Sequence, residues 1–149
     1  MKYIIPIILI TLTSLSSASP PDGYEFKSYS DVVTPLASRE NPVFIYYGRT
    51  GCGYCDKMNT LVFSDADVKD ALTSNYSLVY INSEGSKKIV LPNGKMITES
   101  QWGELFNLVG TPSFHFIDKN GKFGGRYQGY MDKDSFLKLI LNYKNKTGG

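Results

Sequence analysis

The sequence predicts an α/β fold in which helices cover a central β-sheet. Val43–Tyr47 is an uninterrupted run of β-branched and aromatic residues, which is typical of a strand buried on both faces. The segment after it spaces Cys55, Met58 and Val62 at three and four residues, which puts them on one face of a helix. The full predicted order is α, β, α(α), β, hairpin, α, β, β, α. A strand buried on both faces needs helices on each side of its sheet.

The N-terminal half of the chain alternates helices with strands. Ser30-Asp31 is predicted to cap a first helix that runs to about Arg39. After the helix that carries the cysteines, Ser64–Asp67 is predicted to start a second helical piece, which ends near Asn75. Ser77–Asn82, with its apolar residues, is predicted to be the next strand.

A small insertion is predicted between that strand and the next one. Ile89–Leu91 and Lys95–Ile97 flank the turn residues Pro92-Asn93-Gly94, which indicates a short hairpin. Thr98–Gln101 matches a capping box, in which the threonine side chain and the glutamine side chain each bond the other's backbone N–H. The helix that starts there is predicted to end before Gly110.

The last part of the chain is predicted to be a hairpin followed by a helix. Ser113–Ile117 and Lys122–Gln128 are strand-like and are joined by the turn Asp118–Gly121. Gly124-Gly125 indicates a β-bulge in the second of these strands, because glycine weakens regular pairing. Asp132 is predicted to cap the closing helix.

Residues 1–18 are predicted to be a secretory signal peptide, which leaves residues 19–149 as one domain. Lys2 gives a positive start, Ile4–Leu12 is almost entirely apolar, and Ser16–Ala18 fits a small-x-small cleavage site. The apolar run is short for a bilayer span, so a retained membrane anchor is the weaker alternative. We therefore expect an exported, periplasmic protein, in a compartment where disulfides persist.

The chain holds two cysteines, and both lie in Gly51–Cys55 at the junction between the buried strand and its helix. A loop closed over so few residues is a poor structural staple, because the entropic gain from closure grows with loop length. A C-x-x-C pair at a strand–helix junction therefore indicates a thiol–disulfide redox site. Zinc is the chemical alternative. It needs about four ligands, and beyond the cysteines the chain offers only His115, interpreted as structural, and carboxylates.

Four landmarks carry a resemblance to a known family. They are Cys52–Cys55, Gly110–Pro112, Asp118–Lys122 and Gly129-Tyr130, in that order along the chain. With this order of elements, residues 42–143 resemble the thioredoxin-like superfamily. The resemblance is to its exported thiol:disulfide interchange branch, which includes SoxW-like proteins and the DsbC catalytic domain. It implies a thioredoxin-like fold with a central mixed β-sheet flanked by helices, and a hairpin and helix insertion before the strand that follows a cis proline.

The position of the two cysteines predicts different roles for them. Cys52 falls at the helix N-terminus, where free backbone N–H groups and the helix dipole favour a thiolate. We expect Cys52 to be the exposed, more acidic nucleophile and Cys55, one turn further on, to be the buried resolving thiol. The Cys52 thiolate would attack a substrate disulfide, and Cys55 would then attack Cys52 and release the reduced substrate.

The resemblance also implies a substrate-binding surface around the cysteines. It implies a cis Thr111–Pro112 bond facing them, which would expose the Thr111 backbone to pair with a substrate peptide as a strand does. Gly53 and Tyr54, between the cysteines, shape the turn. Together with Thr111 and Pro112 they make up the predicted substrate-binding residues.

The sequence departs from cytosolic thioredoxins in the surroundings of the cysteines. Those proteins have a buried acid six residues before the first cysteine, where this chain has Tyr46, and a lysine on the next strand, where it has Tyr80. Gly51 replaces the usual tryptophan before the first cysteine. The sequence therefore does not identify the group that accepts the Cys55 proton, and the candidates are Asp56, Glu84 and water.

The function indicated by these features is an exported thiol–disulfide oxidoreductase that reduces or isomerises disulfides of periplasmic proteins. No motif indicates a cofactor that could supply reducing power, so we expect a membrane thiol–disulfide electron donor, and we expect the protein to be a monomer. A net charge of +2 is too small to indicate a nucleic-acid partner. The alternative is a thioredoxin-fold binding or chaperone module with little redox turnover.

Overall fold

The computed structural model describes residues 20–34 and 39–147. The predicted signal peptide lies outside these residues. Within the described ranges, no helix is both long enough and apolar enough to cross a lipid bilayer. In chain order the elements are α1 (Tyr29–Val32), β1 (Val43–Gly48), α2 (Gly53–Met58), a π-helical segment (Asn59–Phe63), α3 (Ala66–Asn75), β2 (Ser77–Asn82), β3 (Lys88–Val90), β4 (Met96–Thr98), α4 (Glu99–Leu105), β5 (Ser113–Ile117), β6 (Phe123–Gln128) and α5 (Lys133–Thr147).

The central sheet has four strands in the order β2-β1-β5-β6. β1 runs parallel to β2 and antiparallel to β5, and β5 runs antiparallel to β6. Every residue of β1 is buried, as the continuous apolar run predicts. β3 and β4 form a separate antiparallel pair, which confirms the predicted hairpin. The predicted α/β fold with a central mixed sheet is therefore confirmed.

The two faces of the sheet pack into two different cores. Phe44 and Tyr46 of β1 face the core formed with α2, the π segment, α3 and α5. Val43 and Ile45, which alternate with them, face a second core formed with α1, the hairpin and α4. This alternation follows from the period of two along a strand. It assigns the cysteine-bearing helix to the first face of the sheet.

The first helix is shorter than predicted. α1 begins at Tyr29 and ends at Val32, whereas the sequence predicts a helix from Ser30-Asp31 to about Arg39. Arg39 lies outside the helix, and its guanidinium donates to the carbonyl oxygens of Val32 and Val33. The last carbonyl oxygens of a helix have no partner within the helix, so these two hydrogen bonds stabilise the residue at which α1 ends.

α4 begins as predicted and ends early. Both hydrogen bonds of the Thr98–Gln101 capping box are present. The helix ends at Leu105, although it is predicted to continue to just before Gly110, because Asn107 adopts a left-handed conformation with φ 52°. Asparagine is one of the few residues other than glycine that adopts this conformation readily. The Arg126 guanidinium bonds the carbonyl oxygens beside the break, that of Phe106 at 2.6 Å and that of Asn107 at 3.5 Å.

The second half of the terminal hairpin contains the predicted bulge. Phe116 pairs with Gly125 and Ile117 pairs with Phe123, so Gly124 is the extra residue on β6. A side chain at this position would have no room, because its Cβ would lie 1.7 Å from Oη of Tyr143. The bulge therefore brings β6 against α5 at this point.

Gly103 offers a test of the packing between α4 and the sheet. A Cβ at Gly103 would lie 1.9 Å from Oη of Tyr47, a residue that is buried and packs against Trp102. We expect Gly103→Ala to lower the free energy of unfolding by about 1–2 kcal/mol. Overpacking destabilises a core by about 1–3 kcal/mol. The higher helix propensity of alanine relative to glycine offsets up to about 1 kcal/mol of this cost. Urea unfolding measures the difference.

The matched control is Gly110→Ala, because none of the residues that the structure describes packs within 4 Å of the Cβ it would add. We expect its unfolding free energy to stay within about 0.5 kcal/mol of the wild type. A Gly103→Ala protein as stable as the wild type would show that the Tyr47 ring can shift to accommodate the added methyl group.

Candidate active site

The cysteine pair lies where β1 leaves the sheet and enters α2. Gly51 has φ 68°, in the left-handed region that glycine adopts without steric cost, and it turns the chain after the strand. Cys52 is the N-cap residue of α2, with extended backbone angles, and Cys55 lies in the first turn of the helix. The predicted position of Cys52 at the helix N-terminus is thus the one observed.

Cys52 and Cys55 form a disulfide, with their Cα atoms 5.2 Å apart. Cys55 is 2% exposed and Cys52 is 5% exposed. The expectation that Cys52 is an exposed residue is therefore wrong for the oxidised protein, because the Cys55 backbone and Thr111, from a loop far along the chain, lie against its sulfur. Its side chain nevertheless lines an open cleft, and Cys55 does not.

Two hydrogen-bond donors point at the Cys52 sulfur. The Cys55 backbone N–H lies 3.1 Å from Sγ, and the Thr111 hydroxyl oxygen lies 3.2 Å from it. The Thr111 carbonyl oxygen is also close, at 3.5 Å, but a disulfide sulfur carries no hydrogen to donate to it. Donors directed at a sulfur favour its thiolate form once the disulfide is opened. The sequence assigns Thr111 only a backbone role, and the hydroxyl contact comes from the fold.

The loop that faces the disulfide precedes β5. The Thr111–Pro112 peptide bond in this loop is cis. Gly129 N–H donates to the Pro112 carbonyl oxygen at 2.8 Å, and the Ser113 hydroxyl donates to the Gly110 carbonyl oxygen at 2.7 Å. These bonds tie the loop to the end of β6 and to the start of β5. They hold Thr111 against Cys52, 59 residues away in sequence.

A cleft of about 490 Å³ is lined in part by Cys52. Its walls include Thr111, Gly53, Tyr54 and Val109. Tyr54 is 62% exposed and Val109 is 91% exposed, so the cleft that Cys52 lines also presents accessible apolar surface. Next to Tyr54, the Tyr130 ring lies 6.5 Å away, centroid to centroid. The predicted substrate-binding residues Thr111, Gly53 and Tyr54 therefore lie together at one opening, next to Pro112.

Charged groups near the cleft are paired at its rim. The Arg49 guanidinium lies 3.5 Å from the Glu84 carboxylate, and both side chains are exposed. An exposed pair of this kind contributes at most about 1 kcal/mol. Glu84, a candidate acceptor for the Cys55 proton, thus lies at the cleft opening. Asp56 is exposed on α2.

Two neutral phenols, Tyr46 and the half-buried Tyr80, lie in the core beneath the cysteine helix. Tyr46 is 1% exposed, and its hydroxyl donates to Oδ1 of Asn59 at 3.2 Å. Burial is the main cause that raises the pKa of Tyr46, with Tyr80 and Asp56 adding to it. Burial also raises the pKa of Tyr80 to about 12, to which Glu99 contributes. Both phenols are protonated at neutral pH, so neither supplies the negative charge of a buried acid.

A zinc site would need a cluster of side chains that could bind the metal ion. In residues 20–34 and 39–147, no group of three or more histidine, cysteine or acidic side chains could hold a metal ion. His115 lies on β5 with its ring 5.1 Å from that of Trp102, on the sheet face opposite the cysteine helix. It is a packed residue, as the sequence predicts.

The fold and the disulfide together define the class of protein as a thioredoxin-fold thiol–disulfide oxidoreductase. Residues 31–144 match the family model described as a thioredoxin-like domain, and the chain belongs to that family. No curated protein matches the chain.

Solved structures agree with this assignment. A thioredoxin from Thermus thermophilus is 25% identical, with a TM-score of 0.64, and the match covers 83% of this chain and 88% of that one. The DsbH oxidoreductase is 15% identical, with a TM-score of 0.61, and the match covers 91% of this chain and 92% of that one. The oxidised DsbD C-terminal domain from Neisseria meningitidis is 15% identical, with a TM-score of 0.55, and the match covers 70% of this chain and 81% of that one. The last two likenesses are of fold alone.

Proposed function

We propose that this protein is an exported oxidoreductase that reduces, or isomerises, the disulfides of periplasmic proteins through a Cys52/Cys55 dithiol–disulfide cycle. The observation that carries the proposal is the environment of one sulfur atom. The Cys52 sulfur is bonded to Cys55 and accepts hydrogen bonds from the Cys55 N–H and the Thr111 hydroxyl, and Cys52 itself lines an open cleft. A sulfur in this setting is stabilised as a thiolate and can be reached by a substrate.

The cycle starts from the reduced pair. The Cys52 thiolate attacks one sulfur of a substrate disulfide, which forms a mixed disulfide and releases the other substrate sulfur as a thiolate. Cys55, after losing its proton, attacks the Cys52 sulfur. This step closes the Cys52–Cys55 bond and releases the second substrate thiolate. Two electrons pass from the protein to the substrate, and a thiol–disulfide donor must return them.

Substrate binding is proposed to use the loop opposite the cysteines. The Thr111 backbone lies beside the Cys52 sulfur, where an extended substrate segment could pair with it as an added strand. Tyr54 and Val109 line the same cleft as Cys52, and their side chains are exposed. Gly53 adds no side chain at the opening, and no atom of the described part of the chain packs within 4 Å of its Cβ position. The disulfide of the substrate would thus be exposed to Cys52.

The proposed location and electron donor rest on the N-terminal sequence and on a likeness of fold. Lys2 and the apolar run Ile4–Leu12 have the composition of a signal peptide, which supports export to the periplasm. The resemblance to DsbD C-terminal domains, together with the SoxW-like and DsbC-like landmarks, supports a membrane thiol–disulfide protein as donor. Disulfide-containing exported proteins would be the clients, and the protein would act as a monomer.

The test is an insulin-reduction assay driven by dithiothreitol. We expect the wild-type protein to accelerate the reduction of insulin well above the rate with dithiothreitol alone, and Cys52→Ala to reduce that acceleration by at least about 10³-fold, because the nucleophile is gone. Ser64→Ala is a matched surface control, since it removes a hydroxyl that bonds only the Thr60 carbonyl oxygen in its own helix. It should keep the wild-type rate.

Acceleration that does not depend on Cys52, or none at all, would contradict the proposal and favour a thioredoxin-fold binding module. The direction of electron flow is tested separately by equilibrating the protein with glutathione. A reducing potential, near the thioredoxin value of about −270 mV, is expected. A strongly oxidising potential, near the DsbA value of about −120 mV, would reverse the assigned direction.

A further inference from the structure

The helix that carries the cysteines changes type one turn after Cys55. α2 ends at Met58, and Asn59–Phe63 is π-helical. At the junction, the Asn59 N–H is shared between the carbonyl oxygens of Asp56 and Cys55. π-helical turns are rare and occur mostly as single turns within α-helices, frequently at functional sites. A π-helical turn of this kind needs contacts from outside the helix to stabilise it.

Tyr46 on β1 makes contacts at both ends of the π-helical segment. Its hydroxyl donates to Oδ1 of Asn59, the first residue of the segment, at 3.2 Å. Its ring stacks on that of Phe63, the last residue, with centroids 5.1 Å apart and planes 17° apart. The rings of Tyr80 and Phe114 also pack against it, with centroids 5.4 Å and 5.6 Å away. Tyr46 therefore has little freedom to move, and it links the central strand to the segment.

The Tyr46 hydroxyl acts as a donor and not as a base. Burial raises its pKa, with Tyr80 and Asp56 adding to the rise, so the phenol keeps its proton at neutral pH. An uncharged phenol that donates to Asn59 can hold that side chain in place. It is not poised to accept the proton that Cys55 must lose.

We propose that Tyr46 is a positioning residue for the resolving step of the thiol–disulfide cycle. Asn59 lies four residues after Cys55, on the same side of the helix, so fixing Asn59 fixes the turn that carries Cys55. That turn sets the Cys55 sulfur within reach of the Cys52 sulfur in the mixed disulfide. The inference rests on the proposed function, in which Cys55 performs this attack.

The two steps of the cycle can be timed separately with dithiobis(nitrobenzoate), an aromatic disulfide. Reduced protein releases one thionitrobenzoate when Cys52 attacks the reagent, at a rate that depends on reagent concentration. It releases a second one when Cys55 attacks the Cys52 sulfur of the mixed disulfide and closes the Cys52–Cys55 bond. This second step is unimolecular, so a stopped-flow absorbance trace separates the two phases.

We expect Tyr46→Phe to keep the rate of the first phase within about twofold and to slow the second phase about tenfold. The ring remains and the hydrogen bond to Asn59 is lost, so Cys55 attacks from a less well-defined position. Misplacement of a reacting group by about 1 Å costs up to about 10²-fold in rate. A loss of general stability would not separate the two phases in this way.

Tyr24→Phe is the matched control. The Tyr24 hydroxyl donates to the Phe63 carbonyl oxygen at 2.7 Å, and its ring packs edge-on against Phe63 at 5.7 Å. The substitution thus removes a tyrosine hydroxyl bonded to the same π-helical segment, at the end far from Cys55. We expect both of its phases to match those of the wild type.

Asn59→Ala removes the acceptor and leaves the Tyr46 ring in place, which keeps the test open if Tyr46→Phe folds poorly. We expect it to slow the second phase as Tyr46→Phe does, and the double variant to be no slower than either single one. Wild-type second phases in both single variants, or equal slowing in Tyr24→Phe, would overturn the inference. A wild-type protein without a first phase that depends on Cys52 would contradict the proposed function instead.

Discussion

Cys55→Ala is expected to convert the protein from a turnover catalyst into a covalent trap for its substrates. Cys52 can still attack a disulfide, but the mixed disulfide has no internal thiol to resolve it. Well-oriented intramolecular groups reach effective molarities on the order of 10⁵ M or more. Millimolar external thiol is a poor replacement, so insulin turnover should fall by at least about 10³-fold. At the same time, a stoichiometric adduct at Cys52 should accumulate.

Non-reducing mass spectrometry after mixing the reduced variant with glutathione disulfide measures the adduct. We expect one bound glutathione per chain in Cys55→Ala and closed Cys52–Cys55 disulfide in the wild type. Cys52→Ala is the matched control, because it keeps a cysteine that is 2% exposed and does not line the cleft. An equal yield of adduct in Cys52→Ala would show that the roles of the two cysteines are assigned in the wrong order.

His115 is expected to make the protein less stable in acid. The side chain is 1% exposed, and burial lowers its pKa from 6.5 to about 4, with the Arg126 guanidinium adding to the effect. The unfolded chain therefore binds this proton first as the pH falls. Neutral His115 contributes its full stability above about pH 6.5, and the contribution is lost as the pH falls from there toward 4. At 1.36 kcal/mol per pKa unit, the loss amounts to about 3 kcal/mol.

Urea unfolding of wild type and His115→Leu at several pH values between 7 and 4 measures this contribution. Carboxylates also titrate in this range, but they are common to both proteins and cancel in the difference. We expect the unfolding free energy of the variant to fall by about 3 kcal/mol less than that of the wild type over the range. Parallel curves would show that the buried ring accepts a proton without cost.

Local sequence patterns were sufficient to predict most of the helices and strands and the place of the cysteines among them. The β1 run, the Thr98–Gln101 box, the Gly124 bulge and the Asp132 cap are local patterns, and each is present in the structure. Patterns of this kind are readable because their physical causes, side-chain periodicity and hydrogen bonds between near neighbours, act over a few residues. The position of Cys52 at a helix N-terminus follows from the same local information.

Element ends were predicted less well where a distant side chain decides them. α1 ends where the Arg39 guanidinium binds its last carbonyl oxygens, and Arg126, from β6, bonds the carbonyl oxygens where the chain breaks after α4. The burial of Cys52 was also missed, since covering it takes a loop that starts far along the chain. Each of these partner residues lies outside the segment that it affects, so the sequence of the segment alone does not reveal it.

The groups that surround the cysteines are brought there by long-range packing. The Thr111 hydroxyl reaches the Cys52 sulfur across 59 residues of sequence, and the Tyr46 hydroxyl reaches Asn59 from the neighbouring strand. The sequence shows that Tyr46 is not an acid, but it does not show what the phenol bonds. The change from α- to π-helix at Asn59 has no local signature either. These features depend on how the helix packs on the sheet, and packing is set by contacts between residues that are remote in sequence.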